Sequence, residues 1–125
     1  MPAVNKIVIF DDDDDLLGIF RFLFEDSGWE VYAFENCNDL IRKTKEIMPR
    51  LILMDNWIPP QGGIIATQMI KNDSILKEIP VIFVSANNDV KELAIKAGAD
   101  AYTEKPFDFD VLNDLAILLI NKPRA

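Results

Sequence analysis

A doubly wound α/β fold, a parallel sheet with helices on both faces, is what this sequence predicts, and three observations carry the prediction. Short apolar runs alternate with helical patterns, giving five of each. The central run, residues 51–54 (LILM), is apolar without interruption, as strands covered on both faces are. Turn residues separate the elements, and right-handed crossovers between parallel strands then leave helices on both sides of the sheet.

Residues 6–10 (KIVIF) read as a first strand that runs into five consecutive aspartates. A helix over residues 16–27 follows, with Leu16, Phe20, Leu23 and Phe24 on one face and Gly28 as its stop. Asp13, Asp14 and Asp15 suit the start of that helix, where carboxylates cap free N–H groups and meet the positive end of the dipole. Residues 30–34 (EVYAF) form a second, alternating strand. Asn38 then precedes a helix to about Met48, with Leu40, Ile41, Thr44, Ile47 and Met48 inward and Pro49 ending it. The third strand ends in Asp55, and a loop stiffened by Pro59 and Pro60 and released at Gly62 and Gly63 leads to a helix reaching about Lys71. Pro80 introduces residues 81–84 (VIFV), followed by Ser85 and a polar loop in which Asn88 or Asp89 can cap a helix closing at Gly98. Residues 99–103 make a short fifth strand. Lys105 and Pro106 break the chain, and Asp108 opens a last helix carrying Val111, Leu112, Leu115, Ala116 and Leu119, with Leu112, Leu115 and Leu119 as its inward stripe.

At 125 residues, 50% hydrophobic and 27% charged, the chain fits one globular domain. No apolar run reaches the roughly 20 residues of a membrane span, and the first residues are too short and polar for a secretory leader, so a cytoplasmic location is expected. Histidine is absent, which removes Ser-His-Asp and Cys-His catalysis and any phosphohistidine on this chain. The single Cys37 is expected to be a small buried side chain. Thirteen basic against 21 acidic residues give a net charge of −8, which opposes direct contact with nucleic acid or an anionic membrane.

On that frame Asp11 and Asp12 follow the first strand, Asp55 ends the third, Ser85 the fourth, and Lys105 follows the fifth. All fall at the carboxyl edge of the sheet, where open α/β folds bind ligands. Carboxylates held within about 4–6 Å repel by several kcal/mol at an effective dielectric of about 20, so the cluster asks for a cation. Oxygen donors alone favour Mg²⁺, Mn²⁺ or Ca²⁺ over zinc.

With KIVIFDDD, LILMDNWIPPQGG, PVIFVSA and GADAYTEKPF in place, the chain resembles the receiver domains of two-component response regulators over nearly its full length. The resemblance implies a flavodoxin-like five-stranded sheet in the order 2-1-3-4-5 and a single receiver domain over residues 1–125, its core at about 5–121; no output domain is expected within this chain, which is either a stand-alone receiver or the N-terminal receiver of a longer protein. It implies that Asp55 accepts a phosphoryl group from a sensor histidine kinase or histidine phosphotransfer protein. Mg²⁺, with Mn²⁺ as a substitute, would be held by Asp11, Asp12, Asp55 and the backbone carbonyl of Trp57. Lys105 would pair with the phosphoryl oxygens, aimed by a cis bond to Pro106. Ser85 and Tyr102 would be the switch pair that alters the surface made by the fourth helix, fifth strand and fifth helix. The reader of that surface would be a downstream protein or a second receiver.

Trp57 is unusually large for its place two residues after the acceptor, and Arg50 stands where an Asp commonly precedes the third strand. A haloacid-dehalogenase-type phosphatase would need an acid at Trp57. A flavin carrier would need a phosphate-binding loop where the aspartates stand. A degenerate receiver that only docks other proteins is the alternative, and the full set of site residues counts against it.

Overall fold

The computed structural model describes residues 5–121. Strands β1 (Asn5–Phe10), β2 (Trp29–Phe34), β3 (Leu51–Asp55), β4 (Val81–Ser85) and β5 (Ala101–Glu104) alternate with helices α1 (Asp14–Asp26), α2 (Leu40–Ile47), α3 (Gly63–Lys71), α4 (Val90–Ala97) and α5 (Phe109–Ile120). The strands are parallel and lie in the order β2-β1-β3-β4-β5, as the resemblance implied.

Side chains of successive strand residues point to opposite faces, which sorts the core into two main layers. Ile7, Ile9, Leu51, Leu53, Ile82 and Val84 pack with Leu17, Phe20 and Phe24 of α1 and with Leu112 and Ala116 of α5. Val8, Phe10, Ile52 and Met54 face the other way, against Leu40 of α2 and Ala66 and Ile70 of α3. Phe83 sits under α4 with Val90, Ala94 and Ala97. Emptying one of these positions, as in Phe83→Ala, costs about 3–5 kcal/mol.

Several local expectations are corrected. The buried stripe of α1 centres on Leu17, Phe20 and Phe24, leaving Leu16 and Leu23 half-buried at its margins. Met48 does not point inward. It precedes Pro49, which disfavours helical backbone at Met48, and it leaves α2 with a left-handed φ of 49° and its side chain 48% exposed. Asn38 makes no cap; its amide donates to Asn36 Oδ1 at 2.9 Å, and the helix starts after Asp39 without a side-chain cap. Asp89 holds the cap position of α4, also without a side-chain bond. Strand β5 begins at Ala101 rather than residue 99, because Ala99 N–H is still engaged by Ala94 at the end of α4, where Gly98 turns left-handed at φ 81°. The buried line of α5 runs through Leu112 and Ala116, so of the inward stripe only Leu112 is fully buried, with Leu115 and Leu119 half-buried beside it. Caps at Asp13, accepting from Leu16 N–H at 3.2 Å, and at Asp108, accepting from Asp110 N–H at 2.9 Å, are as expected.

Candidate functional site: an acidic cluster at the carboxyl edge of the sheet

Because β1, β3, β4 and β5 run parallel, the residues that end them gather along one edge. Asp11 leaves β1 with its N–H donating to the Phe34 carbonyl at 3.1 Å, and Asp12 follows into solvent. Asp55 closes β3 and is only 4% exposed. Carboxylate oxygens of Asp11, Asp12 and Asp55 lie within 4.8 Å of one another. Lys105 Nζ reaches across from β5 to donate to Asp55 Oδ1 at 2.8 Å and Asp11 Oδ2 at 3.2 Å. The remaining oxygens are held by the backbone: Trp57 N–H donates to Asp55 Oδ2 at 3.0 Å and Asp13 N–H to Asp11 Oδ1 at 2.9 Å.

The electrostatics follow from burial and from the excess of acids. Desolvation pushes the Asp11 carboxyl above its ordinary range; the Asp13 N–H works against this, the charge of Asp55 adds to it, and Lys105 opposes it. Burial pulls the Lys105 ammonium down, but its hydrogen bond and charge contacts with Asp55, then Asp11, outweigh that and hold it above its ordinary value. Three carboxylates meet a single lysine here, so formal negative charge remains after pairing. An all-oxygen donor set with surplus negative charge fits a hard divalent cation. No hydrogen bond to the Trp57 carbonyl is made among the described residues, which leaves that oxygen open as a further donor.

Ser85 ends β4 fully buried, its Oγ accepting from Asn87 N–H at 3.0 Å, while its carbonyl accepts from Lys105 N–H at 2.9 Å. Tyr102, paired with Phe83 on the edge strand, points outward at 43% exposure. The Lys105–Pro106 bond is cis, as the resemblance implied, and Pro59–Pro60 is cis as well. Cys37 is buried and its thiol is pushed up to about 12 by desolvation, so it takes no part. A groove of about 530 Å³ opens beside the cluster, between the start of α3 and α4, with Trp57 and Ile65 on its rim.

Sequence reasoning missed two supports. Phe107 stacks on Phe20, centroids 4.8 Å apart, and seats the loop that carries Lys105; an aromatic after Lys-Pro opposite an aromatic helix face was the available signal. Gly63, read only as the loop's release, is pressed against the Asp55 backbone.

Comparison with known proteins agrees with this geometry. The family described as the response regulator receiver domain matches residues 7–117. The polar-differentiation response regulator DivK of Brucella anthropi is 34% identical over 104 residues, covering 82% of this chain and 85% of DivK. The regulatory protein AtoC of Escherichia coli is 32% identical over 115 residues, 90% of this chain but 24% of AtoC, so the chain spans about a quarter of that relative. Among solved structures, the receiver domain of the sensor histidine kinase PA1611 from Pseudomonas aeruginosa PAO1, with a magnesium ion in its active-site cleft, superposes with a TM-score of 0.88 at 23% identity, covering 96% of this chain and 100% of that one. No described helix is long and apolar enough to cross a membrane. By the family match over residues 7–117 and the DivK likeness, the chain belongs to the receiver domains of two-component response regulators.

Proposed function

We propose that this receiver accepts a phosphoryl group on Asp55 from a phosphohistidine of a sensor histidine kinase or histidine phosphotransfer protein. The observation that carries the reading is the contact of Asp55, buried and acidic, with Lys105 at 2.8 Å inside a cluster whose acids outnumber its cation. An Asp55 oxygen bonds to phosphorus while the P–N bond breaks, and the electron pair leaves on the imidazole nitrogen, giving an acyl phosphate. Lys105 is placed to offset the negative charge of the transferring group, and the Trp57 N–H orients the nucleophile. Asp11, Asp12, Asp55 and the Trp57 carbonyl would hold Mg²⁺, or Mn²⁺ in its place. A bound divalent ion supplies charge neutralisation between two anions that otherwise repel.

The added phosphate brings roughly −1.5 to −2 charge and three acceptor oxygens to the end of β3. Ser85 exchanges its bond with Asn87 for one to the phosphate, and Tyr102 turns inward into the space this opens. The surface of α4, β5 and α5 changes as a result, for a downstream protein or a second receiver to read. The net charge of −8 favours protein readers over nucleic acid or membrane. Location in the cytoplasm fits the dependence on an intracellular kinase. A domain that only docks other proteins would have no need of this complete charged set.

Intact-mass measurement after incubation with acetyl phosphate and Mg²⁺ tests the reading. One phosphoryl group is expected on the native chain and on Asp13→Asn, and none on Asp55→Asn. Undiminished labelling of Asp55→Asn would overturn the assignment.

A further inference from the structure

Strand β3 ends at Asp55 and helix α3 begins at Gly63, and the intervening loop folds back so that the first residue of the helix lies against the last residue of the strand. A Cβ at Gly63 would overlap the Asp55 carbonyl oxygen and stand 2.9 Å from the Asp55 carbonyl carbon and 3.0 Å from Asn56 Cα. All three are backbone atoms, so no side chain can swing aside to admit it. The neighbouring Gly62 is a different case. Its φ of 87° is what calls for glycine, and a Cβ there would meet only the Asn56 carbonyl at 3.7 Å.

Asn56, beneath Gly63, is held on both its N–H and its carbonyl. Asn56 N–H donates to Val84 of β4 at 2.9 Å, and the Asn56 carbonyl accepts from Gly63 N–H at 2.9 Å. The carboxylate of Asp55 hangs from this same stretch of backbone and meets Lys105 at 2.8 Å and Trp57 N–H at 3.0 Å. A methyl group at residue 63 must either lift the start of α3 or rotate the peptide. Rotation carries the Asp55 carboxylate with it relative to Lys105 and Asp11, and lifting α3 pulls through the Gly63 N–H bond on the Asn56 carbonyl, next to the Trp57 amide that holds Asp55 Oδ2.

We propose that Gly63 is a positioning residue: its lack of a side chain sets the seat of the Asp55 carboxylate. The proposal rests on Asp55 being the phosphoacceptor. Displacement of a reacting group by about 1 Å can cost on the order of 100-fold in rate, so small backbone shifts here are large in effect.

The test compares Gly63→Ala and Gly62→Ala with the parent chain in a Trp29→Phe background, which leaves Trp57 as the sole tryptophan. Three quantities are read: the initial rate of labelling by acetyl phosphate at saturating Mg²⁺, the Mg²⁺ affinity from Trp57 emission, and the thermal midpoint. Gly63→Ala is expected to slow labelling by about 10–100-fold per folded molecule, and to weaken Mg²⁺ binding several-fold. Gly62→Ala should lower the midpoint through its strained φ yet label within about threefold of the parent, since no backbone overlap is created. A merely structural role for Gly63 would move the midpoint alone. Parent-like labelling and Mg²⁺ affinity in folded Gly63→Ala, or an equal loss in Gly62→Ala, would overturn the proposal. If Gly63→Ala does not fold, Ala66→Gly loosens the same first turn, where Ala66 N–H bonds the Gly62 carbonyl at 3.0 Å, without adding an atom. It should slow labelling by about two- to fivefold, and unchanged labelling would count against the positioning role. A parent chain that takes no phosphate at all would instead refute the phosphoacceptor reading, and the Mg²⁺ titration would still judge Gly63.

Discussion

Lys71 and Lys105 each hold an aspartate at opposite edges of the same sheet. Lys71 Nζ donates to Asp100 Oδ2 at 2.7 Å and to the carbonyls of Ile79 at 2.9 Å and Lys77 at 3.2 Å. An ammonium has three donors, and all three are used. The same Asp100 oxygen accepts from Val81 N–H at 2.8 Å, so one positive charge meets one negative in a closed set of bonds. Around Lys105 there are two carboxylates in contact and Asp12 close by, more negative charge than one lysine answers. What separates the two edges is the imbalance, which at the Lys105 edge leaves room for an added cation.

The sharpest way to break this comparison is to exchange the two lysines for methionine. Lys105→Met should slow labelling by acetyl phosphate by about 100-fold or more, the scale of losing one charge-stabilising donor. Lys71→Met should leave the labelling rate unchanged and lower unfolding free energy in urea by about 1–3 kcal/mol, because carbonyls and Asp100 lose their partner. Equal effects on labelling would mean that the imbalance has no functional meaning.

A second contrast concerns pH. Burial, with the charge of Asp55 adding to it, raises the Asp11 carboxyl in the folded chain. A raised acid contributes stability that is fully present below its unfolded value and is lost as pH rises through the folded value. Without Mg²⁺, Asp11→Asn should therefore stabilise the chain at pH 7 by on the order of 1 kcal/mol, and the gain should vanish by about pH 3. Asp100→Asn, at the balanced edge, should give no gain at neutral pH. Urea titrations at several pH values separate the two, and saturating Mg²⁺ should remove the advantage of Asp11→Asn.

Smaller effects are expected further out. Phe107→Ala removes the stack on Phe20, and should slow labelling only a few-fold while costing about 1–3 kcal/mol in stability. On α5, Leu118 is 68% exposed while Ile120 packs on the core, so Leu118→Lys is the cleaner probe of the outer face. Beryllofluoride and Mg²⁺ should promote self-association through α4, β5 and α5, weakened by Leu118→Lys with phosphorylation unchanged. Sedimentation at tens of micromolar decides; a monomer throughout would leave a different protein as the reader.

Strand and helix order was legible because apolar runs such as LILM and VIFV have no polar face, and their ends name the site directly: Asp55, Ser85 and Lys105 each stand within one residue of a strand's end. The helix faces were less so. One residue of slip turns a helix by about 100°, enough to put Leu17 rather than Leu16 at the centre of the α1 stripe, whereas Met48 is turned outward by the left-handed backbone before Pro49. The caps divided by chemistry: Asp13 and Asp108 bond forward to amides, whereas Asn38 is bypassed for a left-handed Asp39 that no composition rule announces. Gly63 was illegible for another reason. Its role depends on which atoms the loop returns to, and a spacing of eight residues says nothing about a carbonyl lying beneath it.

The hydrogen bond from Lys105 N–H to the Ser85 carbonyl ties these two residues together on a single rung of the sheet. On the phosphoacceptor reading, this makes the rung a two-input gate. A group at Asp55 that satisfies the lysine but leaves the hydroxyl on Asn87 draws in only one end, and the edge strand stays where it was. A passing anion would engage the lysine alone; a tetrahedral anion fixed to Asp55 would engage both. Discrimination between a passing anion and a true signal is then a property of the backbone ladder, and it requires no extra residue to enforce it.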